Sequence, residues 1–223
     1  MKSLIKSIWN RTKKESDVRQ LDHPRGLQIG DLLQMSDSFG LPDSLRGQVF
    51  KVSGVGTCQF QHSLDTTFSL QGQNDDYFDL TIEEDSGRER AAFSFAVSQT
   101  LVGEIFDLEA FSEIFEGTCT TLSAKNTSVL DGLIAEEYDQ TAIAERGYYY
   151  ENKDFRGSQP SEVEAEGEPF DYFCLVSKEG NHAIEAEVYE GGQTEVYLTL
   201  YRDIVDIFPL KLLFVCLDVS IVQ

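Results

Sequence analysis

The stretch Tyr77-Phe78-Asp79-Leu80-Thr81-Ile82-Glu83 decides the fold, because its apolar and polar residues alternate. Apolar side chains recur at every second position, which is the period of a β-strand with one buried face. Asp85-Ser86-Gly87 follows as a hairpin turn, and residues 90–95 then read as another strand. The stretch therefore predicts an antiparallel hairpin that packs one face on an apolar core.

Other segments repeat this strand pattern, and Gly or Asp interrupts each of them. One amphipathic helix is predicted after Asp107, because Asp is a good N-cap, apolar residues follow at helical spacing, and Gly117 ends the pattern. Residues 133–144 are a second candidate helix, and Gly54-Val55-Gly56 is predicted to be a turn. The predicted strands form two groups: residues 48–53, 57–61, 66–70, 77–82 and 90–95, and then residues 170–177, 182–189 and 195–201.

The two groups of strands predict an α+β fold, made mainly of antiparallel β-meanders in two lobes with a few packed helices. Segment 157–169 separates the groups, because its two Pro, two Gly, two Ser and four Glu are typical of an exposed loop or linker. We expect a basic amphipathic N-terminal segment and linker over residues 1–26, a first β-rich lobe with a helix over 27–156, the acidic linker or loop over 157–169, and a second β-rich lobe over 170–223.

The composition describes an acidic protein with enough apolar residues for a large core. Its 223 residues include 18 Lys and Arg against 39 Asp and Glu, for a formal net charge of -21, and 41% are hydrophobic. This apolar content excludes global disorder. A uniformly anionic surface repels phosphate backbones, so binding to nucleic acid without sequence preference is also excluded. Cations and basic protein surfaces remain as ligands.

The sequence predicts no catalytic, cofactor-binding or metal-ligating residue. Phosphate-binding loops and nucleophile-elbow motifs are missing. The three histidines are far apart in the chain: His23, His62 and His182. The cysteines are also too widely spaced for a CxxC pair, so reduced, buried thiols are expected at Cys58, Cys119, Cys174 and Cys216. We therefore expect no cofactor, and a non-enzymatic role is favoured although an enzyme is not excluded.

The N-terminal segment reverses the charge of the rest of the chain. Its first 14 residues contain five basic residues and no acid, and its apolar residues lie four apart, as on one stripe of a helix. Such a helix binds an anionic membrane surface, at ~1 kcal/mol per basic residue, or docks on an acidic protein surface. A frayed tail without a role is the third interpretation. The candidate contact residues are Lys2, Leu4, Ile5, Lys6, Ile8, Trp9, Arg11, Lys13 and Lys14.

Three consecutive tyrosines, Tyr148, Tyr149 and Tyr150, are the candidate aromatic wall of a ligand site. Tyrosine supplies both flat apolar area and a hydroxyl group. The alternative is a strand whose neighbouring rings cover both faces of a sheet. Both interpretations stay open at this point.

Acidic residues are concentrated around the first hairpin, at Asp75, Asp76, Asp79, Glu83, Glu84 and Asp85. They lack the spacing of a calcium-binding loop, in which acidic residues alternate before a glycine. A solvated sheet face with its loop is therefore favoured over a cation site. Together these carboxylates still attract cations or a Lys-rich partner over long range.

The chain shows no export or membrane-spanning pattern. Its N-terminal apolar residues are interrupted by Lys6 and Ser7, so no continuous apolar core of a signal peptide is present. Residues 210–222 form the longest apolar stretch, but they include Lys211 and Asp218 and are shorter than the roughly 20 residues of a membrane helix. A cytoplasmic protein is expected, and the N-terminal segment is its route to peripheral contact with the inner membrane.

Three stretches resemble the bacterial YjfK-like family of uncharacterised proteins: Leu27-Gln28-Ile29-Gly30-Asp31, Gly47-Gln48-Val49-Phe50-Lys51-Val52 and Asp171-Tyr172-Phe173. The resemblance covers most of the chain from Leu27 onward and rests on framework positions. It carries no catalytic motif over to this chain. Genes of that family often lie near those of phage-shock-like PspA homologues and small membrane proteins, so the resemblance implies a role in envelope maintenance.

Three functional hypotheses follow. The first is a non-enzymatic accessory or adaptor protein, recruited to the inner membrane surface by the N-terminal segment and binding a basic protein partner through its acidic body. The second is a small-molecule-binding or enzymatic domain for a cationic ligand such as a polyamine. The third is a structural homo-oligomer that pairs through residues 210–222 or an exposed sheet edge.

Overall fold

The computed structural model describes residues 21–38, 40–73, 76–85, 87–160 and 167–204. These residues form ten strands, two α-helices and a short 3-10 helix at Pro24–Gly26. The α-helices are α1 (Gln99–Ile105) and α2 (Leu108–Glu116). The strands are β1 (Leu32–Gln34), β2 (Val49–Gln59), β3 (Leu64–Gln71), β4 (Tyr77–Asp85), β5 (Arg88–Val97), β6 (Thr121–Ser123), β7 (Glu137–Tyr150), β8 (Glu168–Ser177), β9 (His182–Tyr189) and β10 (Thr194–Asp203).

The ten strands belong to one antiparallel sheet that closes on itself. Their order is β1-β2-β3-β4-β5-β10-β9-β8-β7-β6. β2 also pairs with β7, where residues 57–59 lie opposite residues 148–150. This pairing closes eight strands into an antiparallel barrel, and the short strands β1 and β6 extend the sheet beyond the closure.

The expectation of an α+β fold in two lobes is wrong. Of the described residues, 49% are in strands and 12% in helices, and strands of both predicted meanders belong to the same barrel. β5, from the first meander, pairs with β10, from the second, between Val97–Val196 at one end and Arg90–Asp203 at the other. Alternation of apolar and polar residues identifies a strand but not its partner, so it cannot distinguish two open meanders from one closed barrel.

The helix predicted after Asp107 is confirmed as α2. The Asp107 carboxylate accepts hydrogen bonds from the backbone N–H groups of Glu109 and Ala110, at 3.0 and 3.1 Å. Gly117 ends the helix in the left-handed conformation, at φ 67°, which glycine adopts without steric cost. The start and the end of α2 are therefore both set by residues next to it in the chain.

The candidate helix over residues 133–144 is wrong, because β7 begins at Glu137. β7 pairs with β8 from Tyr138–Ser177 to Tyr149–Glu168, with two register shifts on the way. The apolar residues at helical spacing do not form a helix here, because pairing with β8 supplies backbone hydrogen bonds and packing to this segment.

The turn predicted at Gly54-Val55-Gly56 is also wrong, because these residues lie inside β2. The register between β2 and β3 shifts between Val52 and Gly54, which marks a bulge. A Cβ at Gly56 would lie 2.7 Å from the hydroxyl oxygen of Tyr149. Glycine is needed there because an aromatic side chain from β7 packs against the backbone of β2.

Most apolar side chains of the barrel strands lie on the outside of the barrel, and most polar ones point inward. On β4, Phe78, Leu80 and Ile82 belong to an apolar cluster with residues of segment 21–45, which covers this side of the barrel. A second cluster joins α1 and α2 to the outer faces of β8, β9 and β10. The chain therefore builds most of its core between the barrel and the segments around it. The barrel interior is lined mainly by polar side chains and tyrosines, with Phe60 and Ala92 among its apolar members.

Candidate functional site

A cavity of about 280 Å³ occupies the inside of the barrel. All eight barrel strands contribute side chains to it, so the cavity lies within the closed sheet. An eight-stranded barrel is just wide enough to be filled by its own side chains or to hold one small ligand. The residues lining the cavity are Cys58, Phe60, Asp65, Thr67, Asp79, Thr81, Glu83, Ala92, Ser94, Tyr149, Tyr172, Glu185, Glu187, Tyr189, Glu195 and Tyr197.

Six carboxylates line this cavity, and the strand order divides them into two groups. The first acidic wall lies on β3 and β4, and the second on β9 and β10. β5 separates the two walls on one side, and β2, β7 and β8 separate them on the other. The first acidic wall consists of Asp65, Asp79 and Glu83, and the second consists of Glu185, Glu187 and Glu195.

Each carboxylate of the second acidic wall accepts a hydrogen bond from a tyrosine. The Tyr189 hydroxyl donates to Glu187 at 2.6 Å, and the Tyr197 hydroxyl donates to Glu195 at 2.6 Å. The Tyr172 hydroxyl donates to Glu185 at 2.8 Å. Burial first, and the nearby carboxylates second, raise the pKa of these three phenols, so they remain protonated donors.

Glu185 is held by neighbours on both sides of β9. Besides the bond from Tyr172, its carboxylate accepts one from the Thr199 hydroxyl at 2.5 Å. Thr199 is fully buried, and its hydroxyl also lies 2.9 Å from that of Ser94 on β5. This chain of hydroxyl groups fixes the position of Glu185 and connects the second acidic wall to β5.

Glu187 and Glu195 are direct cross-strand partners on β9 and β10. Burial raises the pKa of Glu187 to about 7, the negative charges of Glu185, Glu195 and Asp79 act in the same direction, and the bond from Tyr189 opposes them. Burial also raises the pKa of Asp79, against the hydrogen bond that it accepts from Ser69 at 2.8 Å, and the charge of Glu195 adds to the rise. The two acidic walls therefore interact across the cavity.

Glu83 has a basic partner. Arg90 on the neighbouring strand β5 donates from Nε to Glu83 at 3.0 Å, and its guanidinium lies 3.8 Å from the centre of the Tyr201 ring. Burial raises the pKa of Glu83, and the charge of Arg90 opposes that rise. One of the six carboxylates is thus compensated by an arginine that packs on an aromatic ring.

The described residues that line the cavity include no Lys, Arg or His. Carboxylates in a confined, low-dielectric space repel one another unless protons or cations compensate them. The cavity therefore favours positive charge, and tyrosine is a residue type whose ring attracts cations. Among the residues that the structure describes, no group of three or more His, Cys, Asp or Glu is placed to hold a metal ion.

The three consecutive tyrosines occupy different environments. Tyr149 lines the cavity, whereas Tyr148 is 40% exposed. Tyr150 is buried, and its hydroxyl donates to Gln59 at 2.9 Å across the β2–β7 closure. The structure therefore brings one member of the predicted aromatic wall to the cavity, and Tyr150 contributes to barrel closure.

The predicted contact residues Lys2 to Lys14 lie outside the described residues, and so does the apolar stretch 210–222. Recruitment to a membrane, a basic protein partner and pairing between copies of the chain therefore stay predictions. Of the cysteines in the described ranges, Cys58, Cys119 and Cys174 are free thiols. Within those ranges no helix combines the length and the apolar character needed to cross a membrane.

Sequence reasoning missed the acidic interior, although its pattern is visible. Asp79 and Glu83, assigned to a solvated sheet face, line the cavity. Carboxylates and tyrosines or threonines alternate with apolar residues along Glu185–Tyr189 and Glu195–Thr199. Such a polar face indicates a barrel interior only once the closure of the sheet is known.

No protein-family model, curated protein or solved structure matches this chain, so the class of site is defined by geometry: an acidic, tyrosine-lined cavity inside a β-barrel.

Proposed function

We propose that the barrel interior binds a small organic cation. The observation that carries this proposal is the cavity itself, in which six carboxylates and four tyrosines surround about 280 Å³ and no described lining residue is basic. This volume lies just below the range for drug-sized ligand sites, roughly 300–1,000 Å³, and suits a small ligand.

Electrostatics favour such a ligand. Bringing Glu187 and Glu195 into register places two acidic side chains directly opposite each other, an arrangement that destabilises a sheet when both are ionised. An ammonium group between them replaces repulsion by attraction and forms charge-assisted hydrogen bonds. Binding energy is therefore available from the relief of the repulsion between these carboxylates.

The tyrosine rings favour an organic cation over a compact inorganic one. Tyr149, Tyr172, Tyr189 and Tyr197 supply apolar area for the carbon atoms of a ligand and π-faces for its charge. Phe60 adds a further ring, whose centre lies 5.2 Å from that of Tyr172. The cavity thus combines charge with surface for a hydrocarbon part.

The proposal is tested by calorimetry on the full-length protein with butylamine, tetramethylammonium and 1,4-diaminobutane. Sodium chloride at equal ionic strength and neutral butanol are the controls for screening and for the hydrocarbon part. At least one organic cation is expected to bind and to raise the unfolding temperature, whereas the controls do not. If none of the three cations produces a heat of binding or a thermal shift beyond sodium chloride, the proposal is wrong.

Variants locate the binding site. Glu195→Gln removes one charge from the cavity, and Glu179→Gln removes one from an exposed turn. The first substitution is expected to weaken binding about tenfold, and the second to leave it unchanged, because exposed charges are screened by salt. Equal effects of both variants would assign the binding to the overall charge of the protein and would overturn the barrel site.

A further inference from the structure

We propose that the ligand is a linear diamine or polyamine, bound with one ammonium group at each acidic wall and its methylene chain between them. This inference rests on the proposed function and narrows it from organic cations in general to one class. It follows from the two separate acidic walls of the cavity, because a ligand with a single charge can bind only one of them.

The strand order places the two acidic walls across the cavity from each other. In the closed ring β2-β3-β4-β5-β10-β9-β8-β7, β3 and β9 are four strands apart in both directions, which is the largest separation that eight strands allow. Asp65 on β3 and Glu187 on β9 both line the cavity. A ligand that contacts both walls must therefore extend across the barrel.

The side chains between the walls are largely uncharged. On one side, β5 contributes Ala92 and Ser94, and on the other, β2, β7 and β8 contribute Cys58, Tyr149 and Tyr172. Burial and the charge of Glu187 raise the pKa of the Cys58 thiol, which therefore stays neutral. Going around the cavity, the lining is acidic on β3 and β4, uncharged on β5, acidic on β10 and β9, and largely aromatic and uncharged on β8, β7 and β2.

This sequence of surfaces matches the chemistry of a diamine. Its ammonium groups are hydrogen-bond donors at two ends, which fit two separate sets of carboxylates, and its methylene groups fit the rings and the alanine between them. The walls are also close enough to interact, because the charge of Asp79 raises the pKa of Glu187 and the charge of Glu195 raises that of Asp79. A single ammonium group would relieve the repulsion at one wall only, and Arg90 compensates only Glu83 of the first wall.

Linkage of the two charges predicts a large gain in affinity. Once one ammonium group is bound, the second is held near the opposite wall at a high effective concentration, which typically strengthens binding by a factor of 10²–10⁴. We expect 1,4-diaminobutane to bind the full-length protein at least about 30-fold more tightly than butylamine at equal ionic strength, because part of that gain is lost in ordering the chain.

The experiment is a calorimetric comparison of butylamine, 1,4-diaminobutane and spermidine on the wild type and on one variant of each wall. Asp79→Asn changes the first wall and Glu195→Gln the second, and both keep the shape of the side chain. Each is expected to reduce the affinity for 1,4-diaminobutane at least about tenfold, toward that of butylamine. Glu179→Gln, on an exposed turn, is the matched control, and Asp65→Asn is the second first-wall variant if Asp79→Asn does not fold.

The outcomes separate this inference from the proposed function. If butylamine and 1,4-diaminobutane bind equally well, the two-wall arrangement is overturned while the barrel remains a site for organic cations. If only the variant of one wall weakens binding of 1,4-diaminobutane and the variant of the other wall does not, the two-wall arrangement is also overturned, and the barrel remains a site for organic cations. If none of butylamine, 1,4-diaminobutane, spermidine and tetramethylammonium binds, both proposals fail together.

Discussion

Glu187 on β9 and Glu195 on β10 lie directly opposite each other, and both side chains line the barrel cavity. Each carboxylate accepts a hydrogen bond at 2.6 Å from a tyrosine two residues further along its own strand. These bonds compensate part of the cost of burial but bring no positive charge. Protonation of Glu187, whose pKa burial raises to about 7, lowers the remaining repulsion between the two carboxylates.

The stability of the protein without added ligand is therefore expected to depend on the protonation of Glu187. Its ordinary pKa is 4.5, so in the unfolded chain it ionises first, while the folded protein retains the proton up to about pH 7. As pH rises from 4.5 to about 7, the free energy of unfolding consequently falls, and above about pH 7 it levels off. Glu187→Gln removes the titrating group and so abolishes this part of the fall. The difference in free energy of unfolding between the variant and the wild type is therefore expected to be on the order of 2 kcal/mol more favourable to the variant at pH 8 than at pH 5.

Chemical denaturation of the wild type and Glu187→Gln at pH 5, 6, 7 and 8 measures this difference. Glu179→Gln serves as the control, since the side chain it changes is exposed. A stability difference between wild type and Glu187→Gln that stays constant over the whole pH range would contradict the assignment of the raised pKa to this residue.

Ligand affinity is expected to change with pH in the opposite sense. Aliphatic amines keep their protons below about pH 10, whereas Glu187 loses its proton near pH 7, so the attraction grows as pH rises. We expect the affinity for 1,4-diaminobutane to increase roughly fivefold from pH 6 to pH 8, with release of protons on binding. Calorimetry in two buffers of different ionisation enthalpy counts those protons.

Glu187→Gln again supplies the comparison for this pH dependence. The variant is expected to bind more weakly at pH 8 and to release fewer protons than the wild type. If both proteins show the same pH dependence, another group is responsible and Glu187 does not face the bound ammonium.

The tyrosine hydroxyls are expected to stabilise the barrel when the carboxylates of the second acidic wall are ionised. Tyr197→Phe removes the donor to Glu195 and keeps the ring in the cavity lining. Because hydrogen bonds to charged groups contribute more than neutral ones, the free energy of unfolding at pH 8 should fall by about 1–2 kcal/mol. Tyr77→Phe is the matched control at a residue that is 57% exposed, and an equal loss in both variants would show that the Tyr197 hydroxyl makes no special contribution.

The parts of the fold that the sequence predicts are those decided by neighbours in the chain. The hairpin of β4 and β5 and the helix α2 depend on local alternation, on the Asp107 cap and on Gly117. Closure of the barrel instead joins Gln59 to Tyr148, which no local pattern specifies. Without that closure, the polar face of β4 could only be assigned to solvent, and this is why the acidic walls were not predicted as a site.

Because the apolar strand faces lie outside this barrel, alternation of apolar and polar residues does not show which face lies inside. On β4 the apolar face is buried, as predicted, but it packs under segment 21–45 on the outside of the barrel. The polar face carries Asp79 and Glu83 into the interior. Alternation thus identifies the two faces of a strand, and only the covering segments determine which face lies inside.

Contacts between glycines and aromatic rings on neighbouring strands form another relationship that a single strand cannot reveal. Gly147 on β7 is the cross-strand partner of Phe170 on β8, and a Cβ at Gly147 would lie 2.4 Å from the Phe170 ring. Phe170 is fully buried and packs against Tyr189, whose ring centre is 5.6 Å away, so its ring has little room to move. Overpacking of this kind typically costs 1–3 kcal/mol.

Gly147→Ala is therefore expected to lower the free energy of unfolding by about 2 kcal/mol or more. Gly54→Ala is the matched control within the barrel, because its Cβ would meet Ser69 at 3.5 Å, an ordinary contact distance. Adding Phe170→Leu to Gly147→Ala should recover part of the loss, since the smaller side chain frees the space that the new methyl group needs. Denaturation of the wild type, Gly147→Ala, Phe170→Leu and the double variant measures this coupling. Strictly additive effects would mean that the close approach of Gly147 to Phe170 does not determine the stability of the barrel at this point.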